Sequence, residues 1–360
     1  MDDRLSYDVV VVGGGPAGTT AALYATRLGH RTALFEKEGG RHAAVSHVHN
    51  LYGVSEDVSG RELSAHAVAQ LEEYGADYYL DPVTALLQEG TDTADARFTV
   101  EAEQTTVTAE RVVLATGFTD REPSVPDLRE FTGRGLHYCL HCDGYGLGDS
   151  PAYVLGHGDH AARVAMILLN FTDDIDLLLD DRDPVWSDAT ERQLRAHPVD
   201  RVDTEVVGAF ADGEDGGERA GERSEPWLGG LEFADGTDRE YRGGFAMYGK
   251  EYNTALAEDL GCSLADDGAV AVDERFETSV DGLYAVGDLT HGQNQTVVAM
   301  GDGAKAGMAI HKDLRLFPRP PGEDVDESAV PAAPADVRSR MRLVRGHDDH
   351  PGLREPGPRR

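Results

Sequence analysis

Hydrophobic and polar residues alternate along the chain in three strand–turn–helix patterns. In residues 7–37 the segment YDVVVV is typical of a strand, GGGPAG of a turn, TTAALYATRLGH of a helix and RTALFEK of a second strand. This order predicts a βαβ unit. Residues 152–181 repeat it as AYVLG, HGDHAARVAMILLNF and DIDLLLDD, and VDGLYAVGD at residues 280–288 precedes a predicted helix over Thr296–Leu314. Ser59 is a suitable N-cap for an amphipathic helix that extends to Gly75.

The length of the chain predicts two domains. A chain of 360 residues exceeds the roughly 250–300 residues that one hydrophobic core usually serves. We expect an α/β protein with two three-layer, nucleotide-binding (Rossmann-like) domains. Residues 1–118 and 244–317 form the first domain, and residues 119–243 form the second, inserted between linkers near Phe118 and Gly244. Residues 318–360 are rich in Pro, Asp and Arg, which predicts a disordered tail.

Composition restricts the partners and the location. The chain has 66 acidic and 33 basic residues, a net charge of −33, and its lysines number four. Such a field repels phosphate backbones, so we expect neither nucleic acid nor an anionic membrane as a partner. No apolar run reaches the ~18–20 residues of a membrane span, and no signal-like segment opens the chain, which predicts a cytoplasmic protein. Abundant carboxylates with few lysines favour a halophilic origin.

The first glycine loop predicts a dinucleotide site. Gly13, Gly15 and Gly18 follow a valine-rich strand and open a helix, and Glu36 ends the next strand. Gly13 permits the tight turn, Gly15 lets the backbone approach a pyrophosphate, and Gly18 lets helix and strand pack closely. Glu36 can accept hydrogen bonds from ribose hydroxyls, and the helix N-terminus attracts the phosphates.

Two cysteines three residues apart predict redox chemistry. Cys139 and Cys142 fit the first turn of a helix, where a thiolate is stabilised. His141 lies between them, His137 lies two residues before Cys139, and Asp143 follows directly. The alternatives are two inert buried cysteines or half of a zinc site, but zinc requires four ligands, and we predict no metal.

The sequence resembles the thioredoxin reductase family of two-domain flavoproteins from Asp8 to about Leu314. The matching pieces are GGGPAG, ALFEKEGG, HNLYG, VVLATG, CLHCDGY, GHGDHAA, GLYAVGD and NQTVVAMGDGAKAG. The resemblance implies bound FAD and a homodimer. It also implies an FAD site made by Gly13, Gly15, Pro16, Ala17, Gly18, Glu36, Lys37, Asn50, Thr116, Gly117, Gly287, Asp288, Gln295 and Thr296.

Within that site the resemblance implies particular roles. The glycine loop and Glu36 hold the ADP moiety, Asn50 lies near the flavin, Asp288 binds the ribityl chain, and Gln295 and Thr296 reach the isoalloxazine. The family usually has Arg-Gln-Ala where this chain has Asn294-Gln295-Thr296. The lost arginine affects the tuning of the flavin.

The resemblance also implies roles for the redox residues. Cys142 is the sulfur next to the flavin, Cys139 exchanges with the substrate, and Asp143 is the acid/base. The neighbouring His141 is predicted to stabilise a thiolate, which makes the disulfide more oxidising.

A second glycine loop, with Gly156, Gly158 and Ala161, imitates the dinucleotide fingerprint. Its following strand ends in Asp180-Asp181-Arg182-Asp183, where NADPH-using relatives carry arginines for the 2′-phosphate. Carboxylates repel that phosphate, so NADPH is not expected. NADH, with Asp180 on its ribose, or no nicotinamide at all are the two remaining options.

Three functions therefore compete. The first is a thioredoxin-reductase-like enzyme in which electrons pass between FAD and Cys139/Cys142 and on to the disulfide of a thioredoxin-like protein. The second is a dithiol oxidase, similar to a microbial branch of the family, which takes electrons from a small dithiol and passes them to O₂ without nicotinamide. The third is a non-catalytic flavin redox sensor. We favour the first because Cys139, Cys142 and Asp143 are all present.

Overall fold

The computed structural model describes residues 5–89, 97–213, 226–318 and 332–345. The chain divides into two compact units, Met1–Thr119 with Tyr252–Arg360, and Asp120–Glu251. The chain therefore returns to the first unit at Tyr252, eight residues beyond the linker expected at Gly244. The reason is strand pairing, because residues 243–246 form a strand in the middle of the second unit's sheet.

The described elements follow the predicted order. The strands are β1 (Leu5–Val12), β2 (Thr32–Glu36), β3 (Asp77–Leu80), β4 (Val83–Glu89), β5 (Arg97–Ala102), β6 (Thr106–Leu114), β7 (Phe118–Asp120), β8 (Leu136–His137), β9 (Ala152–Leu155), β10 (Ile175–Leu178), β11 (Asp200–Val202), β12 (Val206–Ala211), β13 (Leu228–Phe233), β14 (Asp238–Glu240), β15 (Gly243–Ala246), β16 (Lys250–Tyr252) and β17 (Leu283–Ala285). The helices are α1 (Pro16–Arg27), α2 (Gly40–Ala43), α3 (Gly60–Glu73), α4 (Leu140–Asp143), α5 (Asp159–Leu168), α6 (Asp188–Leu194), α7 (Ala255–Asp259), α8 (Thr296–Leu314) and α9 (Ala335–Arg345).

Parallel pairing organises the sheet of the first unit. Its described strands run in the order β3-β2-β1-β6-β5-β4, and β17 pairs with the second half of β6. Val12 at the end of β1 lies opposite Phe35 of β2 and Leu114 of β6. The carboxyl ends of these strands therefore meet at one edge of the sheet, where ligands of open α/β sheets bind.

Alternate side chains of β1 enter two separate cores. Val9 and Val11 pack with α1 and α8 on one face, whereas Val10 and Val12 pack against the opposite core, which includes residues of β5 and β6. This is the period-2 alternation of a strand covered on both faces. It confirms the predicted three-layer arrangement for this unit.

The second unit contains a smaller parallel sheet of the order β11-β10-β9-β15-β8 and a separate antiparallel sheet of β12, β13 and β14. Here α5 connects β9 to β10, as predicted from the second βαβ pattern. The helices predicted at residues 59–75 and 296–314 are also confirmed as α3 and α8. In α3, Ser59 and Glu62 form a reciprocal capping box. Among the described helices, none combines the length and the apolar character needed to cross a bilayer.

Part of the segment expected to be a disordered tail is helical. In α9, Nε of Arg340 donates to the carbonyl oxygen of Gly29 at 3.0 Å, and its Nη2 lies 3.6 Å from a carboxylate oxygen of Asp8. A helix with few apolar residues is thus held by contacts with the first unit, which its composition could not reveal. The rest of the expected tail, residues 319–331 and 346–360, lies outside the described residues.

The contact between α1 and α8 depends on a glycine, which gives a first prediction. A Cβ atom on Gly303 would lie 2.1 Å from the carbonyl oxygen of Ala17, so we expect Gly303→Ala to lower the free energy of unfolding by about 1–3 kcal/mol. Gly301, in the same helix, has no such atom within 4 Å. Gly301→Ala should therefore gain up to about 1 kcal/mol from helix propensity. Equal denaturation midpoints for the two variants would contradict this packing.

A buried histidine predicts a pH dependence of stability. Nε2 of His30 lies 3.0 Å from Nδ1 of His311, with Asp8 and Arg340 nearby. Burial lowers the pKa of His30 from 6.5 to about 4. Since the unfolded chain binds this proton more readily, the stabilisation is complete above pH 6.5 and is lost as the pH falls towards 4, by about 3 kcal/mol. Denaturant titrations at several pH values in this range should show that the free energy of unfolding of His30→Gln changes less with pH than that of the wild type. An equal pH dependence in the two proteins would refute the assignment.

Candidate functional site

The glycines of the first loop meet different spatial demands. Gly13 has φ = 110°, and a Cβ atom there would lie 2.4 Å from the carbonyl oxygen of Ala115. A Cβ atom on Gly18 would lie 2.0 Å from the carbonyl oxygen of Gly13. Gly15, the N-cap of α1, faces open space within 4 Å. Gly13 and Gly18 are therefore required by packing, whereas Gly15 leaves room for a ligand beside the helix N-terminus.

Glu36 is fixed against this loop. Its carboxylate accepts hydrogen bonds from the backbone N–H groups of Gly14, Glu38 and Gly39. The side chain is 6% exposed, and carboxylate oxygens retain capacity for further donors such as ribose hydroxyls. The side chain of Lys37, which follows it, is 68% exposed, and its Nζ lies 3.3 Å from Oε1 of Glu38.

A cavity of about 320 Å³ lies beside Glu36. It is lined by Gly14, Glu36, Gly39, Ser64, Ala65, Val68, Ala69, Glu72 and Tyr78. The apolar residues from α3 face the acid across this space. A mixed lining of this kind suits an adenosine, with a flat apolar base and a polar sugar.

The ends of β6 and β17 bring further predicted residues together. Gly117 has φ = 64°, and a Cβ atom there would lie 3.8 Å from Cβ of Asp288. Gly287 has φ = 65°, and a Cβ atom there would lie 2.6 Å from Cβ of Ala17. Pro16 and Ala17 open α1. The strand ends therefore bring Asp288 close to both the first loop and Thr116-Gly117.

Hydrogen bonds connect the remaining predicted flavin residues. Nδ2 of Asn50 donates to Oε1 of Gln295 at 2.8 Å, and Thr296 begins α8. Nδ2 of Asn294 donates to Oδ1 of Asp288 at 3.1 Å. Asn294 thus orients Asp288. The residues present fit FAD, with open space beside Gly15 at the helix N-terminus and polar groups along the strand ends.

Sequence reasoning missed His42 at this site. Its ring is half-buried, and Nε2 has no hydrogen-bond partner among the described residues. Burial lowers the pKa of His42, while Gly60 and Asp288 oppose that effect. Residues 42–49 contain three histidines, and no local pattern separates this one from the others. Only the packing of α2 against α3 distinguishes it.

Cys139 and Cys142 form a disulfide in the second unit. Their Cα atoms are 5.3 Å apart, because Cys139 caps α4 and Cys142 lies in its only turn. The backbone N–H of Cys142 donates to Sγ of Cys139 at 3.2 Å. A donor aimed at a sulfur stabilises its thiolate form after reduction.

The histidine that lies beside Asp143 is His137. Nδ1 of His137 lies 3.3 Å from Oδ2 of Asp143, with side chains 15% and 25% exposed. His141, the predicted partner of the sulfurs, is exposed. The sequence did place His137 near the cysteines, but its pairing depends on how β8 leads into α4. Within the described residues, no group of His, Cys, Asp or Glu side chains has the arrangement of a metal site.

The second glycine loop reproduces the backbone of the first. Gly156 has φ = 149°, and a Cβ atom there would lie 2.8 Å from Cβ of Ala161. Its N–H donates to the carbonyl oxygen of Leu178, as that of Gly13 donates to Phe35. By this register, Leu179 occupies the position that Glu36 has in the first loop, and Leu179 is 1% exposed.

Asp180 is engaged within its own unit. Its Oδ1 accepts from the N–H of Val206 at 3.0 Å, and its Oδ2 accepts from the hydroxyl of Tyr248 at 3.4 Å. A ribose hydroxyl would therefore have to share the Asp180 carboxylate with two donors from the same unit. Gly158 caps α5, with Val185 about 4.0 Å from its would-be Cβ atom.

Known proteins are similar to this chain over most of its length. The family model for pyridine nucleotide-disulphide oxidoreductases matches residues 7–303. The chain is 32% identical over 329 residues to a component of the alkyl hydroperoxide reductase of Pseudomonas putida, covering 87% of this chain and 59% of that protein. It is 30% identical over 323 residues to NADPH-dependent thioredoxin reductase 3 of Arabidopsis thaliana, covering 85% of this chain and 58% of that protein. The chain thus spans somewhat over half the length of these curated relatives.

Solved structures are also similar over most of the chain. Thioredoxin reductase from Streptococcus pyogenes MGAS5005 has a TM-score of 0.77 and 27% identity, covering 88% of this chain and all (100%) of that one. The protein HlmI has a TM-score of 0.77 and 28% identity, covering 87% of this chain and 93% of that one.

The open space at Gly15 gives a prediction for cofactor binding. Gly15→Ala adds a methyl group where the backbone would approach a pyrophosphate, so FAD affinity should fall about tenfold or more while the apoprotein keeps its melting temperature. Gly158→Ala in the second loop is the matched control and should retain wild-type FAD affinity. Titration of both apoproteins with FAD, followed by flavin fluorescence, measures the difference. Unchanged affinity in Gly15→Ala would show that this loop does not contact the cofactor.

Proposed function

Since the chain belongs to the pyridine nucleotide-disulphide oxidoreductase family, we propose that it is an FAD-dependent disulfide oxidoreductase. In this proposal, electron pairs pass between FAD and the Cys139/Cys142 disulfide, and on to the disulfide of a thioredoxin-like protein. The observation that carries the proposal is the disulfide itself, which caps α4 beside the His137–Asp143 pair. A purely structural cross-link would not need a paired acid and base next to it.

Residues of the first unit would hold the cofactor. The N–H groups at the start of α1 face the opening at Gly15 and would bind the pyrophosphate. Glu36 and the cavity beside α3 would hold the adenosine. Thr116, Gly117 and Asp288 would hold the ribityl chain, and Asn50, Gln295 and Thr296 the isoalloxazine. FAD, when bound, supplies the two-electron chemistry that cysteine side chains alone do not provide.

The two sulfurs have different environments, which supports different roles. The N–H that Cys142 directs at Sγ of Cys139 favours a Cys139 thiolate. That thiolate would attack the partner's disulfide and form a mixed disulfide. Cys142, deprotonated in turn, would attack Cys139, reform the internal disulfide and release the partner as a dithiol.

The electron donor is restricted by the second glycine loop. Asp180 and Asp181 stand where NADPH-using relatives have arginines, so a 2′-phosphate would meet carboxylates. A nearby cavity of about 450 Å³ includes Asp180, Asp181 and Glu205 in its lining, with Arg182 as its cation. If a nicotinamide cofactor binds here, we propose NADH rather than NADPH.

A specific observation supports a second candidate function. Leu179 replaces the ribose-binding acid by register, and both oxygens of Asp180 accept internal hydrogen bonds. A loop without a ribose ligand suits a dithiol oxidase, in which a small dithiol reduces the cysteine pair and O₂ accepts the electrons. The cysteine chemistry is then the same in the opposite direction.

Anaerobic reduction of the FAD-loaded protein tests both candidates. With NADH, the first candidate predicts loss of visible flavin absorbance at least about tenfold faster than with NADPH, a difference of about 1.4 kcal/mol. The second predicts bleaching by dithiothreitol alone, and uptake of O₂ when air is admitted.

Cysteine variants test whether electrons reach the flavin through Cys139. Cys139→Ser should keep its FAD but slow bleaching by dithiothreitol at least about 100-fold, because the exchange sulfur is missing. Cys262→Ser, which changes the third cysteine, should behave like the wild type. Bleaching of Cys139→Ser at the wild-type rate, or of no variant by any donor, would contradict the proposal.

A further inference from the structure

The pair formed by His137 and Asp143 is shielded and fixed in place. Its Nδ1–Oδ2 distance is 3.3 Å, and the two side chains are 15% and 25% exposed. By contrast, the His291–Asp267 pair of the first unit has an imidazole that is 82% exposed. Reduced exposure weakens the screening of a charge pair, so solvent screens the pair at His137 less than the pair at His291.

The ring of His137 is positioned from two sides. Parallel pairing of β8 with β15 places His137 opposite Phe245, whose fully buried ring lies 5.7 Å away between centroids. From α4, Asp143 engages Nδ1. His141, on the same helix, is exposed. With Nδ1 directed at the carboxylate, Nε2 is the other protonation site.

The chain between the two residues carries the reacting sulfurs. Cys139 lies two residues after His137, and Cys142 lies immediately before Asp143. The backbone N–H of Asp143 also donates to the carbonyl oxygen of Cys139 at 3.2 Å. The disulfide and the pair therefore belong to one small hydrogen-bonded turn.

Thiol–disulfide exchange needs a base stronger than an ordinary carboxylate. An unperturbed aspartate has a pKa of about 3.9, whereas a cysteine thiol has a pKa of about 8.5, so the carboxylate accepts the proton poorly. An imidazole, with a pKa of about 6.5, narrows that difference and holds the proton near neutral pH. A carboxylate beside an imidazole also favours the protonated imidazole, so the pair accepts a proton on its imidazole more readily than a carboxylate alone does.

We propose that His137 is a positioning residue that acts through Asp143, so that the two side chains together hold the proton moved during exchange. This inference rests on the proposed function, and it applies to either direction of electron flow.

The proton transfer balances as follows in the reducing direction. The Cys142 thiol gives its proton to the His137–Asp143 pair and becomes a thiolate. That thiolate attacks Sγ of Cys139 in the mixed disulfide, the Cys139–Cys142 bond forms, and the bond from Cys139 to the partner's sulfur breaks. The pair then returns its proton to the departing thiolate, which leaves as a thiol. No other oxidant or reductant is required.

Two substitutions separate proton transfer from structure. His137→Asn keeps a polar side chain beside Asp143 but cannot carry the proton, whereas His137→Ala removes both. If the pair moves the proton, both variants should lower kcat for an aromatic disulfide, dithiobis(nitrobenzoate), by about 100-fold at neutral pH. The pH–rate profiles of both variants should differ in shape from that of the wild type, and added imidazole should partly rescue His137→Ala.

A control variant and two contrary outcomes test whether the loss of activity is specific to proton transfer by His137. His197→Ala, on the surface of the second unit, should match the wild type. Recovery of the wild-type rate and pH profile by His137→Asn would overturn the proposal, because a side chain that cannot carry the proton would then suffice. A loss confined to His141→Ala would overturn it as well and assign the role to His141.

A readout without turnover distinguishes failure of this inference from failure of the proposed function. The FAD-loaded protein is reduced with dithiothreitol, freed of reductant under anaerobic conditions, and alkylated with iodoacetamide over a range of pH. The pH profile of cysteine alkylation should differ between the wild type and His137→Asn, even if the wild type turns over no disulfide. Identical profiles would refute the pair's role, whereas different profiles with no turnover would refute only the proposed function.

Discussion

The parallel register of β1 with β2 and β6 is the constraint on which the first unit depends. Val12, Phe35 and Leu114 lie opposite one another, so Gly13, Glu36 and Thr116 are close to one sheet edge. A shift of one residue in β2 would turn Glu36 to the other face and separate it from the loop. The packing of Leu34 in one core and of Ala33 and Phe35 in the other opposes such a shift, because it would exchange the side chains that face the two cores. Core packing therefore maintains the geometry of the cofactor site.

The two glycine loops show how one backbone can carry different chemistry. Both open a helix after a buried strand, and in both the first glycine N–H donates to a carbonyl oxygen of the neighbouring strand. The residue that follows that carbonyl is Glu36 in one unit and Leu179 in the other. Only the first presents a carboxylate at its loop. Retention of a fold thus does not imply retention of its ligand.

The surroundings of the disulfide are determined by packing as much as by spacing. The short helix α4 brings the two sulfurs together, but the acid that follows them has its partner on β8. His137 is oriented because β8 pairs with β15 and lies beside Phe245. His141 lies between the two cysteines in the sequence and yet is exposed. The pairing of a strand from outside the motif thus selects which histidine can act with Asp143.

The sequence by itself determined the features that rest on local interactions. The two βαβ units, α3 with its Ser59 cap, α8 and the placement of both glycine loops follow from periodicity, capping and turn chemistry, which act over a few residues. Tertiary structure decided the rest. This includes the internal hydrogen bonds of Asp180, the pairing of His137 with Asp143, the place of β15 in the sheet of the second unit and the contact of α9 with Gly29. Each depends on contacts between segments distant in sequence or on a chain reversal that brings two side chains together, and the pattern of residues along one segment does not encode such contacts.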